Sequence, residues 1–499
     1  MKLSLVVTAM GKNYKNSLAD GERKEIPVSY KDVREWIQQV QAMGELKVIE
    51  GADWNLEIGA LSVLASKHKE NSPALLFDRI KDYPAGYRIL VGFFESLRRS
   101  ALTTNLPLDI TRDGFIQACR ERLAKQPSIP PVTVTSGPVM ENVFKGDAID
   151  LFKFPVPFWH ERDGGRYIGT GHVIITRDPD EGWVNVGCYR VMVHDRNTMG
   201  MNISPGKHGR IQRQKYFDKG KPCPVVACFG VDPLLHMIAT RPEPYGKCEF
   251  DAVGGIKGEP VEVIEGEITG LPIPAYAEIA VEAEILPDQG REEGPFSEWT
   301  GYYASGEKME PLVKVHRLYH RNDPIITASP EYRPTARAEH CYELLRAAYI
   351  RDQVEKAGVP DIKGVASYFR RFLTVVSIRQ RYPGHARQAA LVASQCQGGA
   401  YLGRYVVVVD DDIDVYDIND VLWAVCSRSD PVDAVEIIRR AWSGPLDPII
   451  PKERKGFSSR MIIDACRPFE WRERFPPAAE ISRDLQNLLL VKWKKELFS

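Results

Sequence analysis

Two neighbouring runs, Tyr167-Ile-Gly-Thr-Gly-His-Val-Ile-Ile-Thr176 and Trp183-Val-Asn-Val-Gly-Cys-Tyr-Arg-Val-Met-Val-His194, decide what kind of fold this chain builds. Both follow the period of a strand, and Arg177-Asp-Pro-Asp-Glu-Gly182 between them is turn chemistry, so together they read as a β-hairpin. Downstream, residues 225–229 read as a buried strand. Asp232-Pro233 is an N-cap and first-turn proline that starts a short helix through Met237. Residues 261–268, 277–286 and 312–320 continue the strand pattern, punctuated by Gly and Pro. So many antiparallel strands predict a barrel or a sandwich.

Upstream of this β-rich region the spacing is mixed. Residues 32–45 place Val33, Trp36, Ile37, Val40 and Met43 on one helical face. Residues 56–68 repeat that pattern after a strand at 46–49, and 75–77 and 88–93 read as strands. This predicts an N-terminal α/β lobe over residues 1–125, with the Pro-, Thr- and Ser-rich segment 126–138 carrying the chain into a second domain, 126–335. Beyond it, helices at 340–357, 385–394 and 420–427 alternate with strands at 372–378 and 405–409, predicting a C-terminal α/β domain over 336–465. A tail, 466–499, ends in a charged helix at 478–497 with Leu485, Leu488, Leu489 and Trp493 on one side. Set behind Arg474-Phe-Pro-Pro477, that helix is expected to dock on another subunit. The fold class is therefore a multidomain α+β and α/β chain.

The chain's 499 residues fit two or three domains with their own cores. Its 66 basic and 67 acidic residues nearly cancel, and no basic run is interleaved with aromatics, which argues against nucleic acid as a partner. The longest apolar stretches, such as 405–409 and 488–491, are too short to cross a bilayer. Nine cysteines without a Cys-x-x-Cys pair fit reduced thiols and a cytoplasmic protein. The first ten residues only faintly imitate an export signal.

Chemistry concentrates in Glu292-Glu-Gly-Pro-Phe-Ser-Glu-Trp-Thr-Gly-Tyr302, read as a loop in which Glu293 and Glu298 flank an apolar Gly-Pro-Phe turn. Such a turn can hold one acid in a dry pocket and raise its pKa toward neutrality. Arg190, on an otherwise apolar strand, is either a sheet-surface arginine or a carboxylate receptor, since a guanidinium fork matches a carboxylate bidentately. Asn185, His208 and Glu249 supply an amide oxygen, an imidazole and a carboxylate, a set suited to manganese or magnesium rather than zinc. Asp410-Asp-Asp-Ile-Asp414 is better explained by strand-end solvation and helix capping than by metal. The glycines of Asp163-Gly-Gly-Arg-Tyr-Ile-Gly-Thr-Gly171 lack the lysine and following helix of a nucleotide loop.

Taken in order, Asn185, Arg190-Val-Met-Val-His-Asp195, Pro205-Gly-Lys-His208, Thr240-Arg-Pro-Glu-Pro244, Glu249, Glu293-Gly-Pro-Phe-Ser-Glu298-Trp-Thr-Gly-Tyr and Asp411-Asp-Ile-Asp-Val-Tyr416 resemble the UbiD-type decarboxylases. The resemblance runs over nearly the whole chain. It implies a split β-barrel flavin domain between an N-terminal α/β lobe and a C-terminal oligomerisation domain. It also implies reversible, non-oxidative decarboxylation of an aromatic, heteroaromatic or α,β-unsaturated acid with prenylated FMN. By the same resemblance Arg190, Glu293 and Glu298 would be catalytic, Arg190 holding the carboxylate, Glu293 protonating the product carbon and Glu298 fixing Arg190. Asn185, His208 and Glu249 would bind Mn2+ or Mg2+ on the flavin phosphate, with K+ as a further ion. Val186, Lys207, Thr240, Arg241 and Pro242 would complete the cofactor site. A flavin prenyltransferase would supply the cofactor, and a homodimer or homohexamer is implied.

Losing carbon dioxide from an aryl or vinyl carbon leaves an sp² carbanion with no adjacent electron sink, which is why a cofactor is needed. The alternatives are a carboxylase or aryl-CoA decarboxylase of the same family, or a non-catalytic subunit of a larger carboxylase. Two positions depart from the family pattern. Gln395-Cys-Gln-Gly-Gly399 has no lysine where members often carry one, and Lys207 stands where a glutamine is common. His340 is either a general base for a phenolic substrate or a helix N-terminal residue bonded to backbone. Strand parity adds a test. Asn185 and Arg190 lie an odd number of positions apart, so an unbroken strand would send them to opposite faces, and a bulge near Gly187 is expected.

Overall fold

A computed structural model describes residues 29–67, 72–125, 128–241, 243–333, 340–444, 446–454, 456–479 and 481–498. The expectations for the first ten residues and for Pro242 fall outside the described residues. The chain forms a mixed α/β multidomain structure around four sheets.

The N-terminal sheet orders Leu46–Glu50, Ala74–Asp78, Arg88–Val91 and Ile325–Ala328. Its fourth strand is borrowed: Ile325–Ala328 runs parallel to Arg88–Val91 although it follows the entire barrel in sequence. The helix Val33–Ala42 is capped by Asp32, whose carboxylate accepts from the amides of Arg34 and Glu35, and it buries Val33, Trp36, Ile37 and Val40 as its spacing predicts.

The central sheet runs Arg166–Gly169, Val191–Asp195, Thr198–Met201, Lys308–His320, Ile279–Glu293, Cys223–Cys228, Val173–Arg177 and Val184–Gly187, with Asn142–Lys145 added alongside Lys308–His320. The predicted hairpin needs correcting here. Each of its two long strands is broken into two, at residues 170–172 and 188–190, directly opposite one another. Val173–Arg177 pairs with Val184–Gly187, while Arg166–Gly169 pairs with Val191–Asp195 at the other end of the sheet. Three residues span at most about 14 Å from strand end to strand start, so the two edges of the sheet must approach each other. The sheet therefore curls into a half-barrel with a split. Its inner face packs Ile168, Ile174, Val191, Val193, Val225, Ala227 and Val281 into one cluster. The required break does occur at Gly187, as a chain crossing rather than a bulge.

The C-terminal sheet orders Ile362–Tyr368, Leu373–Ile378, Tyr405–Asp410, Phe457–Ala465 and Val435–Trp442. Its central strand shows period-two burial. Val406 and Val408 belong to the core shared with Cys341–Lys356 and His385–Gln395, whereas Val407 and Val409 pack with Val421 and Ala424 of Ile418–Arg428. The acidic run at its end is structural. Asp410 pairs with Arg428 at 3.2 Å and accepts from the Arg467 amide at 2.7 Å, and Asp417 caps Ile418–Arg428.

The last helix, Arg483–Phe498, begins five residues later than its spacing suggests and leaves Leu485, Leu488, Val491 and Trp493 exposed. No helix among the described residues is long and apolar enough to cross a membrane.

Candidate active site

Arg190 lies in the crossing at the split, and Glu293 is the last residue of Ile279–Glu293, paired in register with Lys308. The sequence reading placed Glu293 in a loop. In fact a register shift between Ile285 and Gly290 lets the strand continue to it, and this rigid mooring fixes its direction. The turn that follows is held by close backbone contact. A Cβ on Gly164 would lie 1.8 Å from the Gly294 carbonyl oxygen, so only glycine fits there, and the Gly164 amide donates to the Pro295 carbonyl at 2.7 Å. Gly294 itself sits at φ +93°. Of the glycines at residues 163–171, Gly164 serves this turn, whereas Gly169 makes room for Val191 and His172 and Gly171 for the Ala328 backbone.

These constraints aim two carboxylates at one guanidinium. Arg190 Nε donates to Glu293 Oε1 at 2.8 Å and Nη2 to Glu293 Oε2 at 2.8 Å. Nη1 donates to Glu298 Oε1 and, at 3.0 Å, to Ser305 Oγ. Of the five N–H donors of an arginine, one on Nη2 is left. Ser305 in turn donates to Glu298 at 2.5 Å, and the Tyr167 hydroxyl donates to Glu293 Oε1 at 3.0 Å. Glu293 has a side-chain exposure of 0%. Burial opposes the charge of Arg190, but the two glutamates outweigh it and raise its pKa. Burial and Glu293 raise the Tyr167 hydroxyl, which keeps it a donor. The pocket is dry as expected, but a guanidinium occupies both oxygens of its acid. Tyr167, Ser305 and Phe296, whose ring lies 5.6 Å from the Arg190 guanidinium, escaped sequence reasoning. Only Phe296 lay within the quoted motif.

A second cluster forms at the other end of the crossing. Asn185 is buried on Val184–Gly187, and its Nδ2 donates to Thr176 Oγ1 at 3.2 Å and to the Tyr189 hydroxyl at 3.4 Å. The Gly209 amide donates to the same hydroxyl at 3.1 Å. His208 and Glu249 are the first residues of His208–Phe217 and Glu249–Lys257, two helices the sequence reading did not identify. Glu249 Oε2 accepts from the Val186 amide at 2.7 Å, tying it to the Asn185 strand. Burial pushes its carboxyl up to about 8 against that hydrogen bond. Burial and then Lys207 hold His208 below its usual range, favouring the neutral imidazole that a metal needs. A buried carboxylate tied to the Asn185 strand, with an amide and an imidazole held below its usual range as further donors, fits a divalent metal in charge and donor type. Among the described residues no three His, Cys, Asp or Glu side chains converge, so the amide is needed to complete a set.

Thr240 is less available, since its hydroxyl donates to the Met237 carbonyl at 2.7 Å, and Arg241 pairs with Glu243. Lys207 is exposed just before His208–Phe217, and surrounding atoms, then Arg371, lower its pKa. His340 caps Cys341–Lys356, its Nδ1 accepting from the Tyr342 amide at 3.3 Å while Nε2 lies 3.6 Å from Glu95. Its backbone-bonded alternative is the one observed.

An arginine clamped between two acids at the mouth of a split half-barrel defines a site for carboxylate chemistry. Comparison with known proteins gives it a lineage. Residues 37–113, 131–334 and 340–465 match the N-terminal, Rift-related and C-terminal domains of 3-octaprenyl-4-hydroxybenzoate carboxy-lyase. The chain belongs to this UbiD family of carboxy-lyases. It is 33% identical over 456 residues to the pyrrole-2-carboxylic acid decarboxylase of Pseudomonas aeruginosa, covering 88% of this chain and 91% of that one. It superposes on the vanillic acid decarboxylase of Sedimentibacter hydroxybenzoicus in its open form with a TM-score of 0.80 and 29% identity, over 94% of this chain and 100% of that one. An evolved dimeric form of the UbiD-class enzyme HmfF from Pelotomaculum thermopropionicum, solved with prenylated FMN, gives 0.78 and 27% over 93% and 100%.

Proposed function

We propose that this protein catalyses the reversible, non-oxidative decarboxylation of an aromatic, heteroaromatic or α,β-unsaturated carboxylic acid with prenylated FMN. The observation that carries the reading is the Glu293–Arg190–Glu298 clamp at the split of the half-barrel, in a chain of this family. The cofactor, when bound, supplies the electron sink that an sp² carbanion lacks. Arg190 presents its remaining Nη2–H to the substrate carboxylate and gains a second donor as Glu293 lets go. Glu293, gripped on both oxygens as a carboxylate at rest, takes a proton from solvent once Arg190 turns to the substrate and delivers it to the product carbon. Glu298, anchored by Ser305, keeps Arg190 in register throughout. Tyr167 orients Glu293 through its hydroxyl.

Asn185, His208 and Glu249 would hold Mn2+ or Mg2+ at the cofactor phosphate, with K+ as a second ion and Lys207 adding positive charge. Val186, Thr240 and Arg241 would belong to the same end of the site. A flavin prenyltransferase supplies the cofactor, and the protein works as a cytoplasmic homodimer or homohexamer. The completeness of the clamp favours catalysis over a scaffold role. Co-expression with a flavin prenyltransferase is expected to yield a protein with flavin absorbance that releases carbon dioxide from members of an aromatic acid panel. Flavin bound stoichiometrically, with neither carbon dioxide release nor deuterium exchange into any product of the panel, would overturn the reading.

A further inference from the structure

The C-terminal domain brings a second cation to the segment that carries the clamp. Phe369, Arg370 and Arg371 have φ of 53°, 53° and 98°, three consecutive side-chain-bearing residues in the left-handed region. Such strain persists only where surrounding structure enforces it. Here the Arg370 amide donates to Glu343 Oε1 at 2.6 Å and Arg346 Nη2 donates to the Arg371 carbonyl at 3.4 Å.

The turn separates two adjacent arginines. Arg370 is accounted for: its Nη1 lies 3.3 Å from His340 Nδ1 and its Nη2 lies 3.9 Å from Glu331. Arg371 instead reaches the barrel, its guanidinium 5.7 Å from the Trp299 ring and 5.6 Å from the Tyr401 ring. Trp299 directly follows Glu298 of the clamp. Aromatic faces orient a guanidinium while leaving its N–H edge unused. Among the described residues no carboxylate pairs with Arg371 and no acceptor meets its guanidinium.

The surroundings deepen the imbalance. Arg346, 6% exposed, has Nε and Nη1 without a hydrogen-bond partner. Its charge is depressed by burial and then by Arg371. Unneutralised cations held close together repel each other, and an anion placed among them relieves that repulsion. The clamp itself carries a surplus negative charge when both its acids are ionised, so these cations favour a further anion beside it.

We propose that Arg371, backed by Arg346, receives a second carboxylate on the substrate, so that the preferred acids are dicarboxylates with one group at Arg190 and the other at Arg371. This rests on the decarboxylase reading for its second carboxylate site, and the cofactor phosphate is the other oxyanion that could answer the same cations. Calorimetric titration of the flavin-loaded protein with benzene-1,3-dicarboxylate, benzene-1,4-dicarboxylate and benzoate separates the sources. At least one dicarboxylate is expected to bind about ten- to hundredfold tighter than benzoate, the range one charge-assisted pair supplies. Arg371→Met should erase that preference while keeping benzoate affinity and flavin content, and Arg371→Lys should restore part of it. No preference in the unaltered protein, or retention of the preference in Arg371→Met, overturns the proposal. Loss of flavin from Arg371→Met also overturns it and assigns the cation to the cofactor phosphate. Because the readout is binding, a dicarboxylate preference with no carbon dioxide release from any acid of the panel would sink the decarboxylase reading and leave the subsite standing.

Discussion

Replacing Glu293 with glutamine removes one negative charge and one acceptor from the centre of the clamp while preserving its shape. In the structure both carboxylate oxygens accept from Arg190 at 2.8 Å, and Oε1 also accepts from Tyr167 at 3.0 Å. A glutamine offers a single oxygen, and its amide turned toward Arg190 would set donor against donor. One charge-assisted hydrogen bond is lost, about 1.5–3 kcal/mol. This is less than the ~3–5 kcal/mol of breaking a buried pair outright, because Glu298 and Ser305 still hold Nη1. The protein should therefore fold and retain flavin. Turnover is another matter, since an amide cannot deliver a proton to carbon, and a positioned acid contributes about 10²–10⁴ in rate. Glu293→Gln is thus expected to lower kcat by about a hundredfold or more at full flavin occupancy. Carbon dioxide release, deuterium incorporation from solvent and flavin absorbance on one preparation check it. A kcat within about tenfold of the unaltered enzyme, with flavin intact, would remove Glu293 from the acid role.

Further outcomes follow from other parts of the molecule. His208→Ala or Glu249→Ala should lower metal and flavin content together, by metal analysis and absorbance, because the phosphate loses its bridging cation; variants that purify with full metal and flavin contradict the assignment. His172 and His236 are buried, with imidazoles held down to about 3 and about 4 chiefly by desolvation. Both folded values lie below the ordinary 6.5, so the stability they contribute is complete above that pH and is lost as pH falls toward 4 and 3. Melting temperature should drop steeply below about pH 6, with a shallower drop in His236→Gln, and a flat acid limb would refute this. Deleting the chain from Ala478 onward should lower oligomer order or solubility while leaving the half-barrel folded, because Leu488 and Val491 would no longer cover a partner. An unchanged oligomer by light scattering, with unchanged activity, argues against that role.

Several elements could be read from residues alone, because local pattern and tertiary environment agree. Val406 to Val409 alternate between two cores as a strand covered on both faces must, and Trp36 and Val40 fall on the helical stripe their spacing defines. The two acids of the clamp stood out too, since Glu293 and Glu298 flank a turn whose composition has no purpose in an ordinary loop, but their pairing with Arg190 was implied only by the family resemblance. Parity between Asn185 and Arg190 even located the break in the strand, at Gly187.

What residues could not reveal was where that break sends the chain. A period-two pattern is the same whether a strand continues across one sheet or stops and resumes on the opposite edge, since alternation records burial and not the identity of the neighbour. The crossing at residues 188–190 was decided by closure of the half-barrel. The same holds for His208 and Glu249, which become neighbours of Asn185 only because two helix starts are packed against one strand. Arg371 is the clearest case. Its direction depends on a run of left-handed residues that no side-chain preference announces, and only contacts from Glu343, Arg346, Trp299 and Tyr401, distant in sequence, supply the energy to hold it there.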